Sequence, residues 1–183
     1  TSRLSEEDAA RLKEDPRSAI AMLTSDVGVD VLSFGGTKNG LMGAEAVVVL
    51  DPQRSSGLKY LRKLNMQLGS KMRFIAAQLL GLYEGDLWLR NARHANAMAA
   101  RLRAEVEAGL AAGTIRGVGF SQATQSNGVF ATLPDGVADA LRERFRFYDW
   151  EAAKNEVRWM CSFDTTEDDI DAFVAAIARE TTA

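Results

Sequence analysis

Two apolar stretches near the start of the chain have the pattern of β-strands. Residues 29–34 are short, apolar and rich in β-branched side chains, and residues 44–50 are almost entirely apolar. A continuous apolar run of the second kind predicts a strand that is buried on both faces. The glycines between the two runs allow a tight turn and close approach of another group to the backbone. The pattern therefore predicts two strands joined by a glycine-rich loop.

The polar segment before these strands predicts short helices. Ser5 is followed by three acidic residues, which is typical of a capped helix start because acidic side chains favour the helix N-terminus. Pro16 should interrupt this helix, and residues 19–23 predict a further apolar turn.

Three helices are predicted in the middle of the chain. Residues 56–68 place a leucine at every third or fourth position and end at Gly69. A second helix is predicted over residues 74–83. A long helix over residues 87–112 keeps a helical apolar period, with Gly113 as its C-terminal cap. Its His94 is predicted to be a surface residue rather than a catalyst.

After residue 113 the pattern changes to that of a smaller α/β unit. Four runs are predicted as strands: residues 115–120, 128–133, 147–150 and 156–163. Helices are predicted over residues 134–144 and after Thr165 or Thr166. In the last run Val157, Trp159 and Cys161 alternate onto one face. This predicts a three- or four-stranded antiparallel sheet with helices on one side.

Bulk composition changes this picture mainly by exclusion. The 183 residues, 46% hydrophobic and 26% charged, fit one domain or one domain with a small second one. A net charge of −3 gives no general attraction to nucleic acid or to an anionic membrane, and no apolar run reaches the length of a membrane span. The single cysteine excludes an internal disulfide and fits a reducing, cytoplasmic compartment. Because the chain opens on Thr1, a processed or partial product is expected.

Lys38 is the candidate for chemistry, because it stands in the glycine-rich loop without a neighbouring carboxylate in sequence. An amine is nucleophilic only when deprotonated, and burial against apolar strands would favour the neutral form. The alternative is a solvated lysine in a hairpin loop, which is commoner for lysines in general. A phosphate-binding loop of the G-x-x-x-x-G-K-[ST] type is excluded, because that spacing is absent and a strand follows instead of a helix.

The residues around Lys38 resemble a known family. Ser33-Phe34-Gly35-Gly36-Thr37-Lys38-Asn39-Gly40 closely resembles the lysine segment of the threonine aldolase/β-eliminating lyase family, pyridoxal-phosphate (PLP) enzymes of the aspartate-aminotransferase fold. Four further segments resemble the family in the family's order: Leu58-Lys59-Tyr60-Leu61-Arg62-Lys63, Gly69-Ser70-Lys71-Met72-Arg73-Phe74, Glu84-Gly85-Asp86-Leu87-Trp88-Leu89 and Glu156-Val157-Arg158-Trp159-Met160-Cys161. An ordered set spanning about residues 29–177 is far more specific than one lysine motif.

The resemblance implies an α/β fold: the end of the large domain of a fold type I PLP enzyme and a small α+β C-terminal domain, with the N-terminal half of the usual fold absent. Residues 1–28 are then a helical segment outside the family alignment, and residues 29–84 are part of the PLP-binding large domain. Residues 85–113 are a connecting helix, and residues 114–183 are the C-terminal domain.

The resemblance also implies roles for five residues. Lys38 would be catalytic and would hold PLP as a Schiff base. Arg73, Lys71 and Lys63 would bind the cofactor phosphate, although a basic run is otherwise a solvated helix face. Arg158 would bind the substrate carboxylate, since a guanidinium can hold a carboxylate by two parallel hydrogen bonds. Alternation alone leaves Arg158 equally open as an exposed arginine on an edge strand. No metal site is predicted.

The implied reaction is cleavage of L-threonine, L-allo-threonine or a related β-hydroxy-α-amino acid to glycine and an aldehyde. The family places a histidine that stacks on the cofactor, an aspartate for its ring nitrogen and a further arginine before the lysine, and none of these precedes residue 29. The chain thus resembles the C-terminal half to two-thirds of such an enzyme.

Three explanations follow: a fragment, one part of a split enzyme, or a degenerate relative. The expected partners are further copies of the chain or a complementary N-terminal-half chain, because incomplete strands around Lys38 would not make a stable monomer. The alternatives are a non-catalytic truncated homologue that acts as a partner subunit, and a PLP β-lyase or transaldolase.

Overall fold

The computed structural model describes residues 5–182, which form two compact units. The first unit extends to Thr37 and also includes Leu41–Leu80. The second unit contains Lys38–Gly40 and the residues from Gly81 onward. Lys38, Asn39 and Gly40 thus belong to the second unit, although the residues on either side of them in sequence belong to the first. The division of the chain at residues 28, 84 and 113 stays a prediction.

The first unit begins with two short helices. α1 (Glu6–Glu14) has the predicted cap, because the Ser5 hydroxyl accepts a 3.0 Å hydrogen bond from the Asp8 backbone N–H. The helix ends before Pro16, as predicted, and α2 (Ser18–Leu23) follows it.

A β-hairpin follows these helices. β1 (Val31–Gly35) pairs antiparallel with β2 (Glu45–Val49), with Val31 opposite Val49 and Gly35 opposite Glu45. The prediction that the second strand is buried on both faces is wrong for this chain. No third strand pairs with the hairpin within residues 5–182, and Val47 is 60% exposed.

Two helices complete the first unit's sequence. α3 (Leu58–Leu64) is shorter than the predicted 56–68, because Gly57 before it (φ 78°) and Met66 after it (φ 54°) take positive φ values. α4 (Met72–Tyr83) begins two residues before the predicted start, and its last turn belongs to the second unit. Large apolar side chains of α3 and α4 are exposed: Tyr60, Leu61, Leu64, Phe74 and Leu80.

The long helix of the second unit has the predicted bounds. α5 (Leu87–Ala112) ends where Gly113 enters the left-handed region at φ 74°, and the Gly113 N–H bonds to the carbonyls of Gly109 and Leu110. One stripe of α5 is buried, as its apolar period predicts: Ala95, Met98, Ala99, Leu102 and Val106.

The predicted antiparallel sheet is confirmed, with four strands in the order β3-β4-β6-β5. The strands are β3 (Gly119–Phe120), β4 (Gly128–Thr132), β5 (Tyr148–Glu151) and β6 (Glu156–Met160). β3 is much shorter than the predicted 115–120. Ile115 and Val118 instead enter the core from the loop before it.

The core of the second unit lies on one face of this sheet. The alternation predicted for β6 is confirmed, because Val157, Trp159 and Cys161 are buried while Met160 is exposed. Helices α5, α6 (Val137–Arg142) and α7 (Glu167–Thr182) contribute side chains to the same core. α6 is shorter than the predicted 134–144.

Of the two threonines predicted as a cap, Thr166 caps α7. Its hydroxyl accepts from the Asp169 N–H at 3.1 Å, and its own N–H donates to the Asp169 carboxylate at 2.8 Å. No helix within residues 5–182 is both long enough and apolar enough to cross a membrane.

Candidate functional site

The loop between β1 and β2 is closed by its own backbone. The Gly36 N–H donates to the Ala44 carbonyl at 3.2 Å, and the Leu41 N–H donates to the Gly36 carbonyl at 3.1 Å. At the end of β1, a Cβ added to Gly35 would overlap the Glu45 carboxylate. The exposed Glu45 side chain would have to move aside for any larger residue, so glycine is what lets its carboxylate lie against the strand there.

Lys38 lies in the middle of the short 3₁₀ turn Thr37–Asn39 and is exposed. The burial considered from the sequence is not observed, because the turn joins a two-stranded hairpin rather than strands inside a larger sheet of this chain. Within residues 5–182 no carboxylate forms an ion pair with its ammonium group. The amine is therefore uncommitted and accessible.

The backbone beside Lys38 is held on α5. The Asn39 side-chain amide donates to the Trp88 carbonyl at 3.1 Å, and the Asn39 carbonyl accepts from the Asn91 side-chain amide at 2.9 Å. Gly40 continues this contact at φ 108°. A Cβ at Gly40 would lie 3.3 Å from Asn91 Nδ2 and 3.6 Å from the Phe163 ring.

Arg158 lies on β6, with its side chain on the sheet face opposite the core, and it is half-buried. Its strand is paired on both sides, by β4 and β5, so the alternative of an edge strand is wrong. Its guanidinium Cζ lies 5.3 Å from the Trp150 ring centroid, and Phe130 packs edge-on against Trp150 at 5.0 Å. These aromatic rings shield the guanidinium on one side.

The Nε of Arg158 is buried and has no hydrogen-bond partner among the described residues. A buried donor without an acceptor is destabilising. A carboxylate is the acceptor whose two oxygens best match the guanidinium donors. The chemistry of this side chain therefore fits a bound carboxylate.

The three other predicted residues lie in the first unit. Lys63 is in the last turn of α3, Lys71 immediately precedes α4, and Arg73 lies in its first turn; all three are exposed. The Arg73 guanidinium stacks 4.7 Å from the Phe74 ring centroid. Lys38 and Arg158 share the second unit, whereas these three basic residues share the first.

Two further side chains have structural roles near this region. His94 is exposed, as predicted, and its Nε2 lies 2.7 Å from the Thr165 carbonyl oxygen. Burial raises the pKa of the Cys161 thiol to about 11, which keeps it protonated at neutral pH. Cys161 is therefore not a nucleophile of this site.

Sequence reasoning missed the link between Asn39 and Asn91, which are 52 residues apart. The available signal was an asparagine directly beside the candidate lysine. It also missed Phe130, which lies directly opposite Arg158 on β4, and Trp150, whose ring lies beside the Arg158 guanidinium.

Comparisons with known proteins place these features in a family context. No protein-family model matches the chain. The chain is 42% identical over 146 residues to a protein named low specificity L-threonine aldolase from Pseudomonas aeruginosa, covering 79% of the chain and 40% of that protein. It is 40% identical over 148 residues to a protein of the same name from Pseudomonas sp. (strain NCIMB 10558), covering 80% and 41%. The chain thus spans about 40% of the length of the curated relatives it matches.

The chain is also similar in structure to a solved threonine aldolase. The threonine aldolase of Leishmania major matches with a TM-score of 0.72 at 28% identity, over 87% of this chain and 44% of that one. The predicted fold class, an α/β portion of a fold type I enzyme, is confirmed by this likeness.

Proposed function

Because the chain is homologous to a portion of the threonine aldolases, we propose that it supplies the lysine and the carboxylate-binding arginine of an active site. That site cleaves L-threonine, L-allo-threonine or a related β-hydroxy-α-amino acid to glycine and an aldehyde. The observation that carries the proposal is that one compact unit contains both Lys38, which is exposed and uncommitted, and Arg158, whose buried Nε lacks an acceptor among the described residues.

The cofactor of the proposed site is pyridoxal 5'-phosphate. The residues present fit part of its needs, because Lys38 offers an amine free of ion pairs within residues 5–182. Arg73, Lys71 and Lys63 are exposed cations that suit a phosphate group. When bound, the cofactor supplies the electron sink for the carbanion that forms as the Cα–Cβ bond breaks.

Arg158 orients the substrate in this proposal. A guanidinium that holds the α-carboxylate by two hydrogen bonds restricts rotation about the N–Cα bond. That restriction selects which bond at Cα is aligned for cleavage. The Trp150 ring beside the guanidinium limits the directions from which a carboxylate reaches it and so adds to the selectivity of the orientation.

The proposed enzyme is larger than these 183 residues. Either this stretch is a fragment of a longer chain, or it assembles with further copies of itself or with a complementary N-terminal-half chain, and we expect the enzyme in the cytoplasm. The large apolar side chains exposed on α3 and α4 support the need for a covering surface. This expectation is also consistent with the comparison in which the chain matches only 40% of the length of the Pseudomonas aeruginosa relative.

The test is to add PLP to the purified chain, record the visible absorption spectrum before and after borohydride reduction, and locate the fixed pyridoxyl group by mass spectrometry. We expect a reducible band and a label on Lys38, both lost in Lys38→Ala. Lys13→Ala, which removes an exposed lysine of α1, is the matched control and should keep both.

Two other results would change the conclusion. A chain that takes no label at Lys38, alone or in its assembly, would instead be the non-catalytic partner of a full-length aldolase. A label at Lys38 without release of glycine from threonine would favour a β-lyase or a transaldolase.

A further inference from the structure

Two asparagines connect the Lys38 loop to α5 by hydrogen bonds that run in opposite directions. Asn39 donates its side-chain amide to the Trp88 carbonyl at 3.1 Å. Its own carbonyl accepts the side-chain amide of Asn91 at 2.9 Å. Both asparagines are half-buried, so water competes less for these bonds than at a fully exposed site.

Gly40 makes this close contact possible. Its φ of 108° is a conformation that side-chain-bearing residues rarely adopt. The position of a Cβ there would be only 3.3 Å from Asn91 Nδ2. A glycine therefore lets the loop approach the Asn91 amide closely enough for the bond to Asn39.

We propose that Asn39 and Asn91 are positioning residues for Lys38, and we name this pair of contacts the asparagine latch. The inference rests on the proposed function insofar as it concerns the cofactor. Within residues 5–182 no hydrogen bond or ion pair holds the Lys38 side chain itself. The place of its amine is then set by the backbone of its turn, which the latch fixes on the unit that also carries Arg158.

The latch attaches the turn of Lys38 to the same unit that contains Arg158. Hydrogen bonds fixed in both directions define the orientation of the turn as well as its distance from α5. A displacement of about 1 Å at a reacting group can lower a rate about 100-fold. The reaction requires both the Lys38 amine and the Arg158 guanidinium. Anchoring the turn to the unit that contains Arg158 therefore limits how far these two groups move relative to each other.

The decisive variants are Asn91→Asp and Asn39→Asp. Each keeps the size of the side chain but replaces an amide donor by a carboxylate, which can only accept. In Asn91→Asp the carboxylate would face the Asn39 carbonyl, and in Asn39→Asp it would face the Trp88 carbonyl. Asn96→Asp is the matched control, because it adds the same charge at an exposed position of the same helix.

The first measurement is hydrogen–deuterium exchange of the chain without PLP, read on peptides covering residues 36–41. We expect exchange there to accelerate about fivefold to tenfold in each latch variant, since each loses a hydrogen bond and leaves its carbonyl partner facing a carboxylate. Asn96→Asp should exchange like the parent. Equal exchange in Asn91→Asp and Asn96→Asp would overturn the latch, whatever happens with PLP.

The second measurement is the rate at which borohydride fixes PLP on Lys38. We expect about a tenfold slower capture in each latch variant and no further loss in the double variant, because the two residues act as one unit. Thermal melting of each variant checks that the core is intact. Parent-like capture with accelerated exchange would show that the contacts exist but do not position Lys38, and would reject the inference.

The two proposals fail in different ways. If the parent chain and its assembly capture no PLP while the exchange difference persists, the proposed function is rejected and the latch stands as an anchor of the turn. If the parent captures PLP and the latch variants exchange and react like the parent, the latch is rejected and the proposed function stands.

Discussion

Gly109 is a position in α5 where a side chain has no room. A Cβ there would lie 2.6 Å from Cδ1 and 2.8 Å from Cγ1 of Ile115. Ile115 is only 2% exposed and belongs to the core, so it cannot move into solvent. The Gly109 carbonyl also accepts the N–H groups of Thr114 and Ile115, at 3.0 and 3.1 Å, where the chain turns back from the helix.

The magnitude of Gly109→Ala follows from two opposing effects. Alanine is favoured over glycine in a helix by about 1 kcal/mol. Overpacking of a filled core costs roughly 1–3 kcal/mol. We therefore expect the free energy of unfolding to fall by up to about 2 kcal/mol. Gly81→Ala in α4 is the matched control, because it is exposed and no atom lies within 4 Å of its added Cβ.

The comparison of the two variants isolates the steric effect. Gly81→Ala should be stabilising by about 0.5–1 kcal/mol, since it gains propensity without a clash. The difference between the variants should then be roughly 1–3 kcal/mol. Urea unfolding followed by tryptophan fluorescence measures it, because the buried Trp159 reports on the core that contains Ile115. Equal stabilisation by both substitutions would refute the reasoning.

Two further predictions concern titratable groups of the second unit. Burial raises the pKa of the Cys161 thiol to about 11, so the folded chain should react with iodoacetamide at pH 8 far more slowly than the unfolded chain; rapid labelling without denaturant would contradict this. Hydrogen bonds from the Thr166 hydroxyl and then from its backbone N–H lower the pKa of Asp169 below its ordinary 3.8. That stabilisation is present above the unfolded pKa and is lost as the pH falls through the folded pKa. The free energy of unfolding between pH 2 and pH 4 should thus change less with pH in Asp169→Asn than in the parent, and Asp168→Asn is the control. Identical slopes of this free energy against pH in the parent and in Asp169→Asn would rule out the cap.

The elements that the sequence predicted well are those whose signals are local. The 26 residues of α5 are marked by an unbroken apolar period and by Gly113 at the end. The alternation of β6 correctly separates Trp159 from Arg158, because successive side chains of a strand point to opposite faces. Such signals depend only on neighbours a few residues away.

The errors arose where the outcome depends on distant or absent neighbours. The apolar run at residues 44–50 has the composition of a strand flanked on both sides, but composition does not state which chain segments flank it. The end of α3 was placed too late because Met66 takes a positive φ, an unusual conformation for a side-chain-bearing residue. Periodicity alone does not reveal it.

The candidate site also has residues that the sequence could indicate and contacts that it could not. Lys38 and Arg158 were identified by resemblance to a family, since neither periodicity nor composition distinguishes them from solvated surface residues. The asparagine latch joins residues 52 positions apart, and a single sequence contains no pairing information at that distance. The sequence contains the glycine beside Asn39, but it does not contain the information that Asn91 lies against this glycine.

The distribution of apolar burial explains why the attachment of Lys38 matters. The hydrophobic core of the described chain lies in the second unit, whereas in the described part of the first unit Ala44 is the only residue whose apolar side chain is fully buried. Apolar burial is the dominant favourable contribution to folding, so local opening should be easier in the first unit. A lysine held only by the hairpin would follow the motions of that less stable unit. Through Asn39 and Asn91 the lysine is instead held by α5, whose buried stripe forms part of the core. Arg158 is likewise held by β6, one of the two inner strands of the sheet that packs on that core.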